Sequence, residues 1–171
     1  MSVKKIKTIS VKTIDLIVYD FDGVMTDNRV IVFQEGTEAV IVNRADGLGV
    51  ACIRLLGIPQ LILSTETNPV VNARAEKLGL EVIACCKDKK ITLKSYCVKN
   101  GFDLKKVIYI GNDINDLEVM KIVGYPIAPA NAHPTVKKIS YLVTKAKGGE
   151  GVVREIADRI TREKYPNKTG G

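Results

Sequence analysis

Short runs of apolar residues alternate along the chain with longer amphipathic stretches. The runs are rich in β-branched residues and occur at 16–19, 61–63, 82–84, 107–110, 127–128 and 142–143. Alternation of this kind is typical of parallel strands joined by crossover helices. The pattern therefore predicts a doubly wound, Rossmann-like α/β fold built on one parallel sheet.

Capping residues mark the helix boundaries between these runs. Asn68 followed by Pro69 is typical of a helix start, and Gly79 of its end. Asp88 is predicted to cap a helix that ends near residues 100–101. The remaining predicted helices are 47–56, 115–122, 134–138 and 152–160.

One segment interrupts the alternation directly after the first predicted strand. Residues 29–33 and 39–43 are β-rich, and the polar segment 34–38 with a glycine separates them. Two such runs around a short glycine-containing loop predict a β-hairpin inserted after strand 1.

The length of the chain, 171 residues, and its hydrophobic fraction of 46% suit a single core. We predict one domain over residues 1–162, followed by a flexible C-terminal tail over 163–171. No stretch approaches the ~18 apolar residues of a membrane span, and the first residues lack the apolar part of a signal peptide. We therefore expect a cytoplasmic protein with no membrane partner.

Charge and cysteine content narrow the chemistry further. The four cysteines form no C-x-x-C pair and the chain has one histidine, so no zinc-ligand set is expected. The net charge of +7 comes from lysines spread along the chain without interleaved aromatic residues. That distribution argues against nucleic acid and suits a small anionic substrate.

Paired carboxylates follow the first strand. Asp20 and Asp22 share one face of a continuing strand, and Gly23 lets the chain turn away. In an open α/β sheet this is the ligand-binding end. Two carboxylates this close need a cation between them, and Mg²⁺ is the natural candidate. The alternative is a solvated turn at the end of the strand.

Further polar groups follow other strands at the same sheet end. The acidic segment 111–116, with Asn112 and Asp113, follows the strand at 107–110 and is able to complete a metal site, unless it is an ordinary capped turn. Ser64 and Thr65 offer hydroxyl and N–H groups to an anion. Lys89 at a helix start opposes the helix dipole, which indicates a phosphate or carboxylate partner.

Together these residues resemble the four motifs of the haloacid dehalogenase superfamily. The match runs through residues 20–24, Ser64, Lys89 and 111–116 in this order. Within the superfamily the chain resembles the capless sugar-acid phosphatases that act on 3-deoxy-D-manno-octulosonate 8-phosphate or nononate 9-phosphates. It is also similar to the phosphatase-like domain of N-acylneuraminate cytidylyltransferases. The supporting segments are 44–49, 74–79, 130–134 and 148–151 with Arg154 and Glu155.

The resemblance implies a role for each motif residue. Asp20 would be the nucleophile that becomes an aspartyl phosphate, and Asp22 the general acid and base. Ser64 and Thr65 would bind phosphate. Lys89 would bridge phosphate and the acidic segment, with support from Asp116.

The same resemblance implies a Mg²⁺ site formed by Asp20, Asp22, Asn112 and Asp113. The phosphatases usually carry aspartate at the position of Asn112, so one negative charge is lost here and weaker metal binding is expected. Two hypotheses follow. The chain is an active magnesium phosphatase, or it is an inactive relative that tetramerises and supports sialic-acid activation.

Candidate specificity residues also come from the resemblance. Glu66 and Lys77, with Arg74 on the same helix face, favour an N-acylneuraminate or 2-keto-3-deoxynononate 9-phosphate over the octulosonate phosphate. The alternative is a helix with solvated charges. The expected substrate-binding set is completed by Arg44, Asp46 and Gly47, which belong to the segment 44–49 that supports the family match.

The resemblance further implies a homotetramer without a cap domain. The hairpin at 29–43 would assemble four chains, and the glycine-rich segment 148–151 with Arg154 would close a neighbour's active site. A receiver domain of a signalling relay also uses an aspartyl phosphate and Mg²⁺, but its paired acids are usually adjacent, whereas Asp20 and Asp22 are separated by one residue.

Overall fold

A computed structural model describes residues 9–164 and confirms the predicted α/β fold. The main sheet contains β1 (Leu16–Tyr19), β4 (Gln60–Leu63), β5 (Glu81–Ile83), β6 (Val107–Ile110), β7 (Tyr125–Ala128) and β8 (Leu142–Val143). These six strands are parallel and lie in the order β5, β4, β1, β6, β7, β8. Each run of apolar residues therefore forms a strand, as predicted.

Within residues 9–164, five α-helices lie between the strands along the chain, and a sixth follows the last strand. They are α1 (Arg44–Leu55), α2 (Val70–Leu78), α3 (Lys89–Asn100), α4 (Leu117–Met120), α5 (Pro134–Ile139) and α6 (Val152–Lys164). α1 begins earlier than predicted because the Asn43 side chain accepts a hydrogen bond from Ala45 N and caps the helix. Asp88 caps α3 as predicted, by accepting from Ile91 N at 2.9 Å. Residues 114–116 form a 3-10 turn before the short α4.

Both faces of the sheet are covered, which is the doubly wound arrangement. Ile17 and Tyr19 of β1 face the core formed with α1, α2 and α6. Leu16 and Val18, on alternate positions, face the second core formed with α3, α4 and α5. The central strands are completely buried and apolar on both sides, so the sequence shows continuous apolar runs there.

The predicted hairpin is present after β1. β2 (Thr26–Val32) pairs antiparallel with β3 (Glu38–Val42) in a separate two-stranded sheet. Large apolar side chains on it are exposed: Val30, Ile31, Val32, Phe33 and Ile41. Because a two-stranded hairpin is marginal by itself, this exposed apolar surface is a candidate for contact with another chain.

The ends of the predicted domain are described only in part. α6 continues to Lys164, so residues 163 and 164 of the predicted tail are helical, and 165–171 lie outside the described residues. Among residues 9–164, no helix is long and apolar enough to cross a bilayer. The domain limits, the absence of a cap domain and the cytoplasmic location stay predictions.

Gly49 tests the contact between α1 and α6. A Cβ on Gly49 would lie 2.8 Å from Arg154 Cα and Arg154 N. Gly49→Ala must push the helices apart, and we expect it to lower the free energy of unfolding by about 1–3 kcal/mol. Urea denaturation measures this change.

Gly47→Ala in the same helix is the matched control. Its Cβ would meet only Leu78 Cδ2, at 3.4 Å. Because alanine is the better helix former by up to about 1 kcal/mol, Gly47→Ala should leave stability unchanged or raise it. Equal stability of the two variants would contradict the close helix contact.

Candidate active site

The predicted site residues meet at the carboxyl ends of three neighbouring strands. β4, β1 and β6 are adjacent in the sheet, so the segments that follow them lie side by side. An open cavity of about 240 Å³ lies there. Its lining residues are Asp20, Asp22, Asn28, Ser64, Thr65, Asn112, Asp113 and Asn115.

Lys89 is buried at the base of this site between two carboxylates. Its Nζ lies 2.7 Å from Asp20 Oδ1 and 2.7 Å from Asp116 Oδ1. The three residues come from the end of β1, the start of α3 and the turn after β6. Lys89 is 4% exposed and Asp116 is fully buried. A charge buried this deeply is stable only when it is paired and hydrogen-bonded.

Burial and charge together set the ionisation of this group. Burial, with the nearby charge of Asp116, raises the pKa of Asp20 to about 8 against the opposing effect of Lys89. Burial lowers the pKa of Lys89, but the two carboxylates outweigh burial and raise it above its ordinary value. Lys89 is therefore a cation, and its ammonium group faces two carboxyl groups. The raised pKa of Asp20 shows that ionising both carboxyl groups is costly, so a bound cation would favour the ionised form of Asp20.

Asp116 organises the turn that carries Asn112. Its Oδ1 accepts from Tyr109 Oη at 2.7 Å as well as from Lys89. Its Oδ2 accepts from Asn112 N at 2.8 Å and Asp113 N at 3.3 Å. A Cβ on Gly111 would lie 2.6 Å from Asp116 Cγ, so only glycine permits this approach. The support predicted for Asp116 is consistent with these contacts.

The Asn112 amide reaches both aspartates of the first motif. With its NH₂ group turned inward, Asn112 donates to Asp22 O at 2.8 Å and to Asp20 Oδ2 at 3.2 Å. With Asn112 Oδ1 turned inward, this oxygen meets Asp22 O and Asp20 Oδ2. Three oxygens this close together need a cation between them. Gly23 makes room for the amide, because a Cβ there would lie 2.0 Å from Asn112 Nδ2.

These oxygens fit a hard divalent cation. Within residues 9–164, no group of three or more His, Cys, Asp or Glu side chains is arranged to hold a metal. A cation at this site would therefore use the Asp20 carboxylate, the Asp22 carbonyl and the Asn112 amide oxygen. Asp113 is exposed at the rim, where its carboxylate accepts from Ile114 N at 2.7 Å. It lies beside the cavity, as its predicted metal role requires.

Asp22 keeps its side chain at the cavity. Its Oδ1 accepts a 3.3 Å hydrogen bond from Thr26 Oγ1. Burial raises the pKa of Asp22 above its ordinary value. A carboxyl group with a raised pKa is suited to donating a proton near neutral pH.

Ser64 and Thr65 form the opposite wall of the cavity. Ser64 is buried, and its Oγ accepts from Glu66 N at 3.1 Å, which leaves the hydroxyl hydrogen for another partner. Thr65 is exposed at the rim. Both lie where the sequence predicts a phosphate site.

The predicted specificity residues lie outside the cavity of the single chain. Arg44 and Lys77 are exposed. Arg74 donates to Asn43 O at 3.0 Å. Glu66 follows Thr65 of the cavity wall, and its Oε1 accepts from Thr67 N at 2.7 Å and from Asn68 N at 2.9 Å. None of these side chains lines the cavity of the single chain, and their roles in substrate binding stay predictions.

Asp46 and Gly47 serve the contacts of α1. Asp46 is 1% exposed and its Oδ1 accepts from Arg154 N at 3.0 Å, which ties α1 to the start of α6. Burial raises the pKa of Asp46 to about 6. Gly47 lies beside Leu78 of α2. Both residues are part of the helix packing, and neither reaches the cavity.

The glycine-rich segment 148–151 packs closely within its own chain. A Cβ on Gly148 would lie 2.1 Å from Gly23 O, and Gly149 N donates to Val24 O at 3.1 Å. The segment therefore packs on the turn after β1 of its own chain. Its predicted role in closing a neighbour's site stays a prediction.

Two residues of the site were not predicted from the sequence. Tyr109 stands at an apolar strand position, although its hydroxyl binds Asp116. Asn28 lines the cavity, but an isolated asparagine in a turn carries no distinctive signal. Asn115, which also lines the cavity, lies in the predicted segment 111–116 but was given no role of its own. The left-handed backbone of Asn28, with φ of 66°, depends on how the chain returns from β1 to the hairpin.

Comparisons with known proteins agree with this geometry. A family model for haloacid dehalogenase-like hydrolases matches residues 61–156. The 3-deoxy-D-manno-octulosonate 8-phosphate phosphatase of Yersinia pestis is 32% identical over 160 residues, which cover 92% of this chain and 86% of that protein.

Solved structures give the same result. A protein from Streptomyces avermitilis, described as a hydrolase of the same superfamily, is 45% identical to this chain, and the two structures superpose with a TM-score of 0.88. The match covers 90% of this chain and 88% of the Streptomyces chain. The octulosonate 8-phosphate phosphatase of Moraxella catarrhalis, solved with magnesium, phosphate and 3-deoxy-D-manno-octulosonate, is 32% identical with a TM-score of 0.85, over 89% of this chain and 88% of that one.

The fold and the site thus define a phosphoric monoester hydrolase of the α/β class. The chain belongs to the haloacid dehalogenase-like hydrolases, as the sequence motifs predicted.

Proposed function

We propose that the chain is a Mg²⁺-dependent phosphatase of sugar-acid phosphates. The observation that carries this proposal is the Asp20, Lys89 and Asp116 group beside the converging oxygens of Asp22 and Asn112. A cavity that opens at these groups is suited to a phosphate with a cation. The similarity to octulosonate 8-phosphate phosphatases supports a sugar acid as the leaving group.

The substrate we favour is an N-acylneuraminate or 2-keto-3-deoxynononate 9-phosphate. Glu66 beside the cavity supports this choice, as the resemblance implied. The second candidate substrate is 3-deoxy-D-manno-octulosonate 8-phosphate, because the relatives at about 32% identity are named as phosphatases of this compound.

The proposed reaction has two steps. The carboxylate of Asp20 attacks phosphorus, the bond from phosphorus to the sugar oxygen breaks, and Asp22 donates a proton to that oxygen. Water then attacks the aspartyl phosphate while ionised Asp22 accepts its proton, which releases inorganic phosphate and restores Asp20. When bound, Mg²⁺ supplies positive charge for the phosphoryl oxygens.

Lys89 and the neighbouring donors position the nucleophile. Asp20 Oδ1 accepts from Lys89 and, at 2.8 Å, from Phe21 N, so the carboxylate is fixed before substrate arrives. Ser64 lies across the cavity, where its hydroxyl is placed for a phosphoryl oxygen. Preorganised donors of this kind stabilise the charge that develops during transfer.

A second candidate function rests on Asn112. The amide lacks the negative charge of an aspartate, so metal binding is weakened. The alternative is a weakly active or inactive phosphatase-like domain that tetramerises and accompanies CMP-sialic acid synthesis.

We also propose that the chain forms a homotetramer through the hairpin. Ile31 pairs with Ala39 across β2 and β3, and Ile41 lies on the same face two residues further along. Ile31 is 49% exposed and Ile41 61%. Burying this face between chains would remove apolar surface from water, and a neighbouring chain would narrow the open cavity.

Phosphate release tests the activity. We expect Mg²⁺-dependent turnover of N-acetylneuraminate 9-phosphate, 2-keto-3-deoxynononate 9-phosphate or 3-deoxy-D-manno-octulosonate 8-phosphate. Asp20→Asn should lower kcat by at least about a thousandfold, because the nucleophile is lost. Absence of turnover with all three substrates, in a folded protein, would contradict the phosphatase and support the second candidate.

Asn112→Asp tests the metal site. We expect tighter Mg²⁺ binding by about tenfold or more in titration calorimetry, because a carboxylate replaces an amide. Without metal, the variant should melt at a lower temperature than the wild type, because its donors to Asp20 and Asp22 are gone. Asn115→Asp adds the same charge at the exposed rim. Equal tightening by both variants would show a general charge effect and no ligand role for residue 112.

Sedimentation velocity tests the assembly. We expect a tetramer for the wild type and dissociation for Ile31→Glu, because a charge in an apolar interface is costly to desolvate. Val98→Glu is the control, since Val98 is 79% exposed on α3, away from the hairpin. A wild-type monomer, or dissociation of both variants, would exclude the hairpin interface.

A further inference from the structure

Asn28 has an unusual backbone for a side chain at the cavity. Its φ of 66° lies in the left-handed region, which costs most residues about 1 kcal/mol or more and which glycine adopts freely. Asparagine tolerates this region better than other residues with a Cβ, but glycine is still the less strained choice. The residue is exposed, so packing does not explain why a side chain is kept here.

The Asn28 amide is also unpartnered. Its side chain makes no hydrogen bond to another residue within 9–164, although its main-chain N donates to Thr26 Oγ1 at 3.2 Å. By contrast, Asp113, which also lines the cavity, binds a neighbouring main-chain N–H. An unpaired amide that lines a cavity is free to bind a ligand in it.

Thr26 connects Asn28 to the proposed general acid. The Thr26 hydroxyl donates to Asp22 Oδ1 at 3.3 Å and accepts from both Gly23 N and Asn28 N at 3.2 Å. Thr26 is completely buried, so this connection is shielded from water. Asn28 is therefore held at a defined position relative to Asp22, which acts on the leaving oxygen of the substrate.

We propose that Asn28 is a specificity residue that binds a hydroxyl group of the sugar, on the leaving-group side of the phosphate. This inference rests on the proposed function and adds to it the residue that recognises the sugar. The phosphate end of the cavity is served by Asp20, Ser64 and Lys89. The Asn28 amide both donates and accepts, as a hydroxyl group requires.

The role of Asn28 predicts a difference between substrates. Asn28→Gly removes the amide and suits the left-handed backbone, so its melting temperature should equal or exceed that of the wild type. Its KM for the sugar-acid phosphate that the wild type uses best should rise about tenfold. For p-nitrophenyl phosphate, whose leaving group has no sugar hydroxyl, kcat/KM should stay within about twofold.

Asn28→Asp distinguishes the effect of losing the amide from the effect of a more flexible loop. Aspartate has the same shape and tolerates the same backbone, but its carboxylate cannot donate and repels an anionic substrate. We expect Asn28→Asp to raise the KM for the sugar-acid phosphate as well. An unchanged KM in Asn28→Asp together with a raised KM in Asn28→Gly would assign the effect to loop flexibility and overturn the proposal.

Binding without turnover distinguishes this inference from the proposed function. In the Asp20→Asn background, calorimetry measures the Kd of the same three sugar-acid phosphates in the presence of Mg²⁺. Adding Asn28→Gly should weaken the tightest Kd about tenfold, and an unchanged Kd overturns the role of Asn28. If the wild type binds these compounds but releases no phosphate, the phosphatase function fails while the Kd comparison still decides the role of Asn28. If none of them binds, both proposals are overturned.

Discussion

The buried ammonium group of Lys89 is the interaction on which the site depends. It joins the end of β1, the start of α3 and the turn after β6 through Asp20 and Asp116. A lysine at the first position of a helix opposes the helix dipole, and burial adds a desolvation cost. The pairing with Asp20 and Asp116 makes this position of Lys89 favourable. The same ion pairs therefore set the charge of the site and hold the three elements together.

Close backbone contacts extend this constraint to the rest of the cavity. Gly23 leaves space for the Asn112 amide, Gly111 for the Asp116 carboxylate, and Gly148 for the main chain at Gly23. Each of these contacts is too short for a Cβ. The turn after β1 is therefore enclosed by the turn after β6 on one side and by the segment before α6 on the other. These two contacts fix the positions of Asp20 and Asp22.

In the proposed function, the sugar part of the substrate is recognised by residues at the opening of the cavity. The buried groups are charged and suit a phosphate with a cation, whereas Asn28, Thr65 and Asn115 at the opening are neutral and polar. The single chain thus provides most of the groups that the proposed phosphoryl transfer needs. The exposed apolar surface of the hairpin supports the proposed assembly of several chains, because such a surface is seldom left in water.

The sequence by itself determined the strands, most helix boundaries and the residues at the strand ends. These features are local: apolar runs reflect two-sided burial, and caps such as Asp88 bind main-chain groups a few residues away. The clustering of Asp20, Ser64, Lys89 and Asn112 was predictable because parallel strands end at one sheet edge. Arg44, Asp46 and Lys77 do not line the cavity of the single chain, because helix orientation decides where such side chains point, and their roles in substrate binding stay predictions.

Only the tertiary structure decided which polar groups face one another. Tyr109 binds Asp116, Asp46 binds the start of α6, and Gly148 packs on Gly23, although each pair except the first is far apart in sequence. The left-handed backbone of Asn28 belongs with these contacts. Each depends on the path of the chain between packed elements, and residue type and spacing carry no record of that path.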